Sequence, residues 1–228
     1  MNALHIKACS VTVDVATSNA ALKLFRLNRD IVRNFVGIHP QFANGNNSSR
    51  FDEIVLQNHE FIDGIGEIGL DPTYCGLRKD YSEQIKVFEH MLDIATELHK
   101  PVSIHSRGSL DEILDILSTY DYLKACLHWF DGTEKQLERS MELGLYVSYG
   151  PSVVYSKRKR KLLKLTDNGR LLTETDGPVK YHACFEHVTA LPTSMLASIV
   201  YTISQERKIS FRESSVQICC NSIDFFGS

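Results

Sequence analysis

Apolar positions along this chain alternate between two rhythms. Short continuous runs at 6–13, 32–38, 64–70, 101–105, 124–129, 145–150 and 170–175 have the length and density of strands buried on both faces. Between them, apolar residues return every three or four positions. Ile85, Phe88, Leu92, Ala95 and Leu98 make one such stripe, and Leu110, Ile113, Leu114 and Leu117 make another, as helices with one buried face require. Start signals accompany the helices. Asp80 precedes Glu83, Ser109 precedes Glu112, Thr133 precedes Gln136 and Ser210 precedes Glu213, each at the capping-box spacing or close to it. Asn44-Gly-Asn-Asn-Ser-Ser49 reads as a loop by composition, and so does the stretch from Asp176 to Pro192.

Strand–helix alternation predicts parallel strands joined by right-handed crossovers. The expected fold class is therefore α/β, a TIM-type (β/α) barrel occupying 1–228 as a single domain. Seven strands are counted rather than eight. No repeat, linker or low-complexity stretch interrupts the chain.

Composition narrows the picture. The chain has 228 residues, 43% of them hydrophobic, which suffices for a large core and argues against disorder. The net charge of −3 supplies no overall basic field to draw the protein to nucleic acid or a membrane, although it leaves room for an enzyme that cuts nucleic acid. No apolar run reaches the roughly 20 residues needed to span a bilayer. Six cysteines, Cys9, Cys75, Cys126, Cys184, Cys219 and Cys220, show no C-x-x-C spacing. Cys9 and Cys126 fall in predicted strands and are expected to pack as small core residues. Without a signal peptide, the expectation is reduced thiols and a cytoplasmic location.

The candidate chemistry sits at strand ends. Glu67, His105, His128 and Asp176 lie at or near the carboxyl ends of four apolar runs, the ends that face the active crevice of a (β/α) barrel. Two imidazoles and two carboxylates meeting there point to metal-assisted hydrolysis. Glu67 lies among glycines, which permit close approach. Buried without a cation, it would be costly; its other reading is a buried salt bridge. A strand histidine is commonly a hydrogen-bonded core residue, but two of them at equivalent strand ends favour ligation. Asp176 is suited to hold a cation and to take a proton from the attacking water, or else to cap a turn. Glu174 shares its parity and is expected to face the interior as well. His39 ends the run at 32–38, where it either orients substrate or anchors the turn at Pro40. Arg107 offers a planar fork for phosphate or, alternatively, a salt bridge to a helix. The basic block Ser156-Lys-Arg-Lys-Arg-Lys161 is either a solvated helix face or a contact to a phosphate backbone. Phe42, Tyr74, Trp129, Tyr149 and Tyr155 lie near strand ends, where they either stack bases or simply pack.

Taken together, these motifs resemble the TatD deoxyribonuclease family of metal-dependent hydrolases. The matching pieces are GIHP at 37–40, GEIGLD at 66–71, PVSIHSR at 101–107, HWFDG at 128–132, TETDGP at 173–178 and NSIDFF at 221–226, in family order. The resemblance implies hydrolysis of nucleic-acid phosphodiesters, DNA above all, at one or two divalent cations (Mg²⁺, Mn²⁺ or Zn²⁺). It implies Glu67 as bridging ligand, His105 and His128 completing one metal position, and Asp176 as ligand of the other and the catalytic base. His39 and Arg107 match positions that bind substrate near the scissile phosphate.

The family also begins with a strand bearing a His-x-His pair, and none is found here. His5 precedes the run at 6–13 and belongs at the opposite mouth. One metal position keeps three protein ligands, whereas the other keeps only Glu67 and Asp176, a harder pair suited to hydrated Mg²⁺ or Mn²⁺. Such a loss would impair catalysis. The reading adopted is that Met1 is internal to a longer natural chain. The alternatives are a gap filled by a partner subunit, with self-association through the open barrel edge, and a degenerate barrel. Two other functions stand beside the nuclease: a small-molecule amidohydrolase-type enzyme, since the fold hosts many chemistries, and a non-catalytic metal-binding scaffold.

Overall fold

The computed structural model describes residues 6–26, 28, 30–76, 78–121, 123–181 and 188–227. His5, Cys184 and the segment at Met1 lie outside them. Contacts divide the chain into two compact units, one of Lys7–Cys126 and one running from Leu127 onward together with Ile6.

The first unit follows the strand–helix rhythm of the sequence. Strands β1 (Ala8–Ser10), β2 (Val32–Val36), β3 (Gly64–Leu70) and β4 (Val102–Ser106) pair in sequence order, all parallel. Every residue of β3 is buried, the carboxylate Glu67 among its apolar and small residues. The crossovers are α1 (Val15–Phe25), α2 (Gly45–Asn58) and α3 (Arg78–Glu97), and α4 (Leu110–Leu117) follows β4. Phe35, Ile65, Ile68, Met91, Leu92, Ile104, Ile113 and Leu114 are wholly buried and fill the unit's core. Between Ile65 and Ile68 the β3–β4 register slips, a bulge at the Gly66–Glu67 step. Bulges of this kind re-aim a side chain next to a site.

In the second unit, β6 (Tyr146–Tyr149) and β7 (Leu171–Thr173) pair parallel. The short β5 (Ala125–Leu127) leads into this unit. Helices α5 (Glu134–Glu142), α6 (Lys157–Leu165), α7 (Pro192–Arg207) and α8 (Phe211–Phe226) complete it. Its core contains Leu137, Tyr146, Val147, Leu163, Ile199 and Phe225.

All seven strands form at the expected runs, trimmed by a residue or more at most ends, with β4 reaching one residue farther to Ser106. Two of the four start signals act as caps. Thr133 accepts from the Gln136 amide and Ser210 from the Glu213 amide, each with the reciprocal side-chain bond of a capping box. Ser109 does not cap α4. Its buried hydroxyl instead donates to the Leu70 carbonyl oxygen at 2.6 Å, a long-range bond from the loop after β4 to β3. Asp80 is not a cap either, because α3 begins at Arg78. The stretch after Asn44 is not a loop. Asn44 caps α2 by accepting from the Asn47 amide at 3.0 Å, and the helix starts at Gly45. Cys126 is buried as expected, but Cys9 is exposed, on strand β1, which pairs with β2.

Candidate metal centre

In the first unit, three strand ends bring Glu67, His105, His39 and Asp71 together. His39 is extended because Pro40 follows it. Its N–H donates to the Val13 carbonyl oxygen at 2.8 Å, and the chain then enters a tight turn at Pro40–Phe42. Gly69 lies opposite His105 in the ladder with a φ of 144°. A Cβ there would collide with the His105 carbonyl oxygen, so only glycine lets β3 come this close to the histidine.

One ligand atom each from His39, Glu67 and His105 lies within 4.8 Å of the others. Their hydrogen bonds divide the roles. Asp71 is fully buried, and its Oδ1 accepts from the Thr73 amide (2.9 Å) and hydroxyl (2.5 Å). Burial alone would raise its pKa, but the bonds from Thr73 and His105 outweigh burial and hold the carboxyl below its ordinary range. Ionised Asp71 only accepts, so the His105 nitrogen 2.9 Å from its Oδ2, Nε2, carries a proton. In neutral His105 the lone pair is then on Nδ1, which faces Glu67 Oε1 at 3.0 Å. Two acceptors that close repel unless a proton or a cation lies between them. A divalent cation fits this donor set of one imidazole and one carboxylate, with Asp71 fixing the ring from behind.

His39 is arranged differently. Its Nδ1 accepts from the Gln41 amide at 3.2 Å, so in the neutral ring Nε2 bears the proton, and Nε2 lies 3.6 Å from Glu67 Oε1. Donating N–H toward the site suits a substrate contact better than ligation. His39 thus anchors the turn at Pro40, and its Nε2 faces Glu67. Arg107 donates its backbone N–H to the Leu70 carbonyl oxygen at 3.4 Å, while its side chain is exposed and makes no ion pair with a described residue.

The second unit carries a parallel arrangement. His128 directly follows β5, with its Nδ1 3.6 Å from Glu174 Oε2. Ser148 donates to the same oxygen at 2.5 Å. Burial would raise the Glu174 pKa, but the His128 and Ser148 interactions prevail and lower it. Glu174 Oε1 is buried with no hydrogen-bond partner among the described residues. An ionised oxygen in that state calls for positive charge nearby. Asp176, two residues on, is half-buried with φ at 49°, and its carbonyl oxygen accepts from Val179 in the turn that follows. Trp129 is also left-handed, with φ at 46°. Strain of this kind collects at functional sites.

The basic block of α6 is neither free nor uniformly solvated. Lys159 is buried, donates to the Phe130 carbonyl oxygen and lies 2.8 Å from Asp131 Oδ1, gripping the segment just after His128. Burial, with repulsion from Arg158, pulls its pKa down to about 7 against the attraction of Glu174. Arg158 pairs with Asp131, Lys161 with Glu134, and Arg160 and Lys164 with Glu206.

The structure thus brings Glu67 and His105 together with His39, and sets His128 and Asp176 in the second unit beside Glu174. Sequence reasoning passed over Asp71 as the carboxylate behind His105. The signal was the last residue of GEIGLD, one position past a wholly buried strand. Glu174 was legible only through its parity with Asp176.

The parallel strand–helix order, with Asp71 behind His105 and Glu174 beside His128, is that of a TIM-type (β/α) barrel of the metal-dependent hydrolase kind. The TatD related DNase family model matches residues 2–227, and the chain belongs to that family. The human deoxyribonuclease TATDN3 is 33% identical over 127 residues, 54% of this chain and 46% of that protein. The uncharacterized metal-dependent hydrolase YabD of Bacillus subtilis is 31% identical over 127 residues, 54% of this chain and 49% of that protein. The chain thus spans about half the length of these curated relatives. The crystal structure of YjjV, a TatD homolog from Escherichia coli, matches with a TM-score of 0.86 at 20% identity, over 97% of this chain and 86% of that one. At that identity the likeness bears on the fold.

Proposed function

We propose that this chain is a metal-dependent nuclease that hydrolyses phosphodiester bonds of DNA. The observation that carries this reading is the 3.0 Å approach of His105 Nδ1 to Glu67 Oε1, with the far side of the imidazole fixed by Asp71. Glu67 and His105 are assigned as cation ligands, with His128 and Asp176 as further ligands. A bound divalent cation would supply Lewis-acid charge for the phosphoryl oxygens. Hydrolysis adds one water across a P–O bond. The water oxygen bonds to phosphorus as Asp176 takes its proton, and the leaving oxygen departs and is protonated from solvent. The exposed Arg107 fork suits the non-bridging phosphate oxygens, and His39 Nε2–H donates from the Glu67 side.

The test incubates the chain with end-labelled single-stranded DNA and Mg²⁺, Mn²⁺ or Zn²⁺, beside Glu67→Gln, His128→Ala and Asp176→Ala. Expected is metal-dependent cleavage, abolished by chelation and reduced roughly 100-fold or more in each variant. Cleavage that Asp176→Ala leaves intact would remove the proposed base. Binding without cleavage would overturn the nuclease.

A further inference from the structure

Trp129 is the only tryptophan in the chain, and it directly follows His128. Its indole is stacked on Tyr181, with ring centroids 5.3 Å apart and planes 27° from parallel. Tyr181 is only 4% exposed, and its hydroxyl donates to the Thr175 carbonyl oxygen at 3.2 Å. Burial raises the Tyr181 pKa, and the charges of Asp176 and Glu174 raise it further, so the ring lies within the field of both carboxylates. Lys159, anchored on the Phe130 carbonyl oxygen, secures the backbone immediately after the indole.

A buried, hydrogen-bonded tyrosine thus holds one face of a half-buried indole, beside the residue assigned as base. Here the tyrosine is the buried partner and the tryptophan the more exposed one. Tyr149, another strand-end aromatic of this unit, shows what packing looks like: it is 1% exposed, with its hydroxyl 2.9 Å from that of Thr166.

We infer that Trp129 is a stacking platform for a nucleobase of the bound strand, with Tyr181 as its rigid backing. Every base presents a π-face, so such a platform orders single-stranded DNA without reading its sequence. The inference deepens the nuclease reading and rests on it for the ligand class. It assigns to Trp129 the placement of a base while the phosphate chemistry proceeds elsewhere on the strand.

Because Trp129 is the sole tryptophan, the unmodified chain carries its own reporter. With a chelator present to prevent cleavage, the chain is titrated with a short end-labelled oligothymidine and with an abasic strand of equal length. Strand anisotropy reads binding and tryptophan emission reads stacking. Expected is quenching by the oligothymidine and little change with the abasic strand. Trp129→Ala is expected to weaken oligothymidine binding about tenfold or more, with Trp129→Phe retaining most of it. Equal emission changes with both strands, binding of oligothymidine without quenching, or failure of the oligothymidine to bind would overturn the platform. Quenching and binding without cleavage when metal is restored would leave the platform standing and sink the nuclease. Cleavage with no quenching would do the reverse.

Discussion

Asp71 shows how a single residue sets the chemistry of its neighbour. Its carboxylate is saturated on one oxygen by Thr73 and holds His105 Nε2 on the other. Asp71→Asn is expected to weaken divalent-metal affinity by about 10- to 100-fold, read by competition with a chromophoric chelator, because the imidazole loses the partner that fixes its tautomer. The same residue has a signature in stability. The folded-state pKa of Asp71 lies below the unfolded value of about 3.9. Its contribution is therefore complete above the unfolded value and disappears as pH falls through the folded one. The stability gap between the chain and Asp71→Asn, from urea melts without metal at pH 6 and at successively lower pH, is expected to shrink below about pH 4. A gap unchanged down to pH 3 would contradict it. The glutamate and histidines were visible in the sequence because a titratable side chain ending an apolar run is conspicuous. The role of Asp71 was not, because it depends on a partner 34 positions away.

At the scale of elements, strands were legible and helix starts only partly so. A run such as β3 admits one reading, since nothing but a doubly buried strand accommodates it. Asn44-Gly-Asn-Asn-Ser-Ser49 was misread because the residues that make loops also make helix N-termini; the structure uses Asn44 for the second purpose. Ser109 had the spacing of a cap, but its hydroxyl found a tertiary partner in Leu70. The NSIDFF segment of α8 shows a tertiary bond of similar consequence. Asn221 Nδ2 donates to the carbonyl oxygens of Asn168 (2.7 Å) and Leu171 (2.8 Å), joining α8 to the start of β7. Asn221→Ala leaves both acceptors without that donor and is expected to lower stability by about 1–3 kcal/mol, seen as a lower urea midpoint with unchanged slope. A change under 0.5 kcal/mol would mean that water replaces the amide freely.

For the molecule as a whole, metal and folding are expected to be linked. A cation that binds only the native state at about 100 times its Kd adds roughly 2.7 kcal/mol. For a chain of this size that raises the thermal midpoint by about 5–10 °C. The shift should appear in scanning calorimetry and be lost in Glu67→Gln; an equal shift in the variant would place the ion elsewhere. The α6 helix bears on behaviour at the same scale. Its cations, Lys157, Arg158, Lys159, Arg160, Lys161 and Lys164, outnumber the carboxylates that pair with them, Asp131, Glu134 and Glu206, so the stretch keeps a positive surplus. A strand of DNA approaching this face would shed counterions from its phosphates, so its grip is expected to weaken as ionic strength rises. In the laboratory that surplus would hold the protein on a heparin column at low salt and release it as the salt is raised.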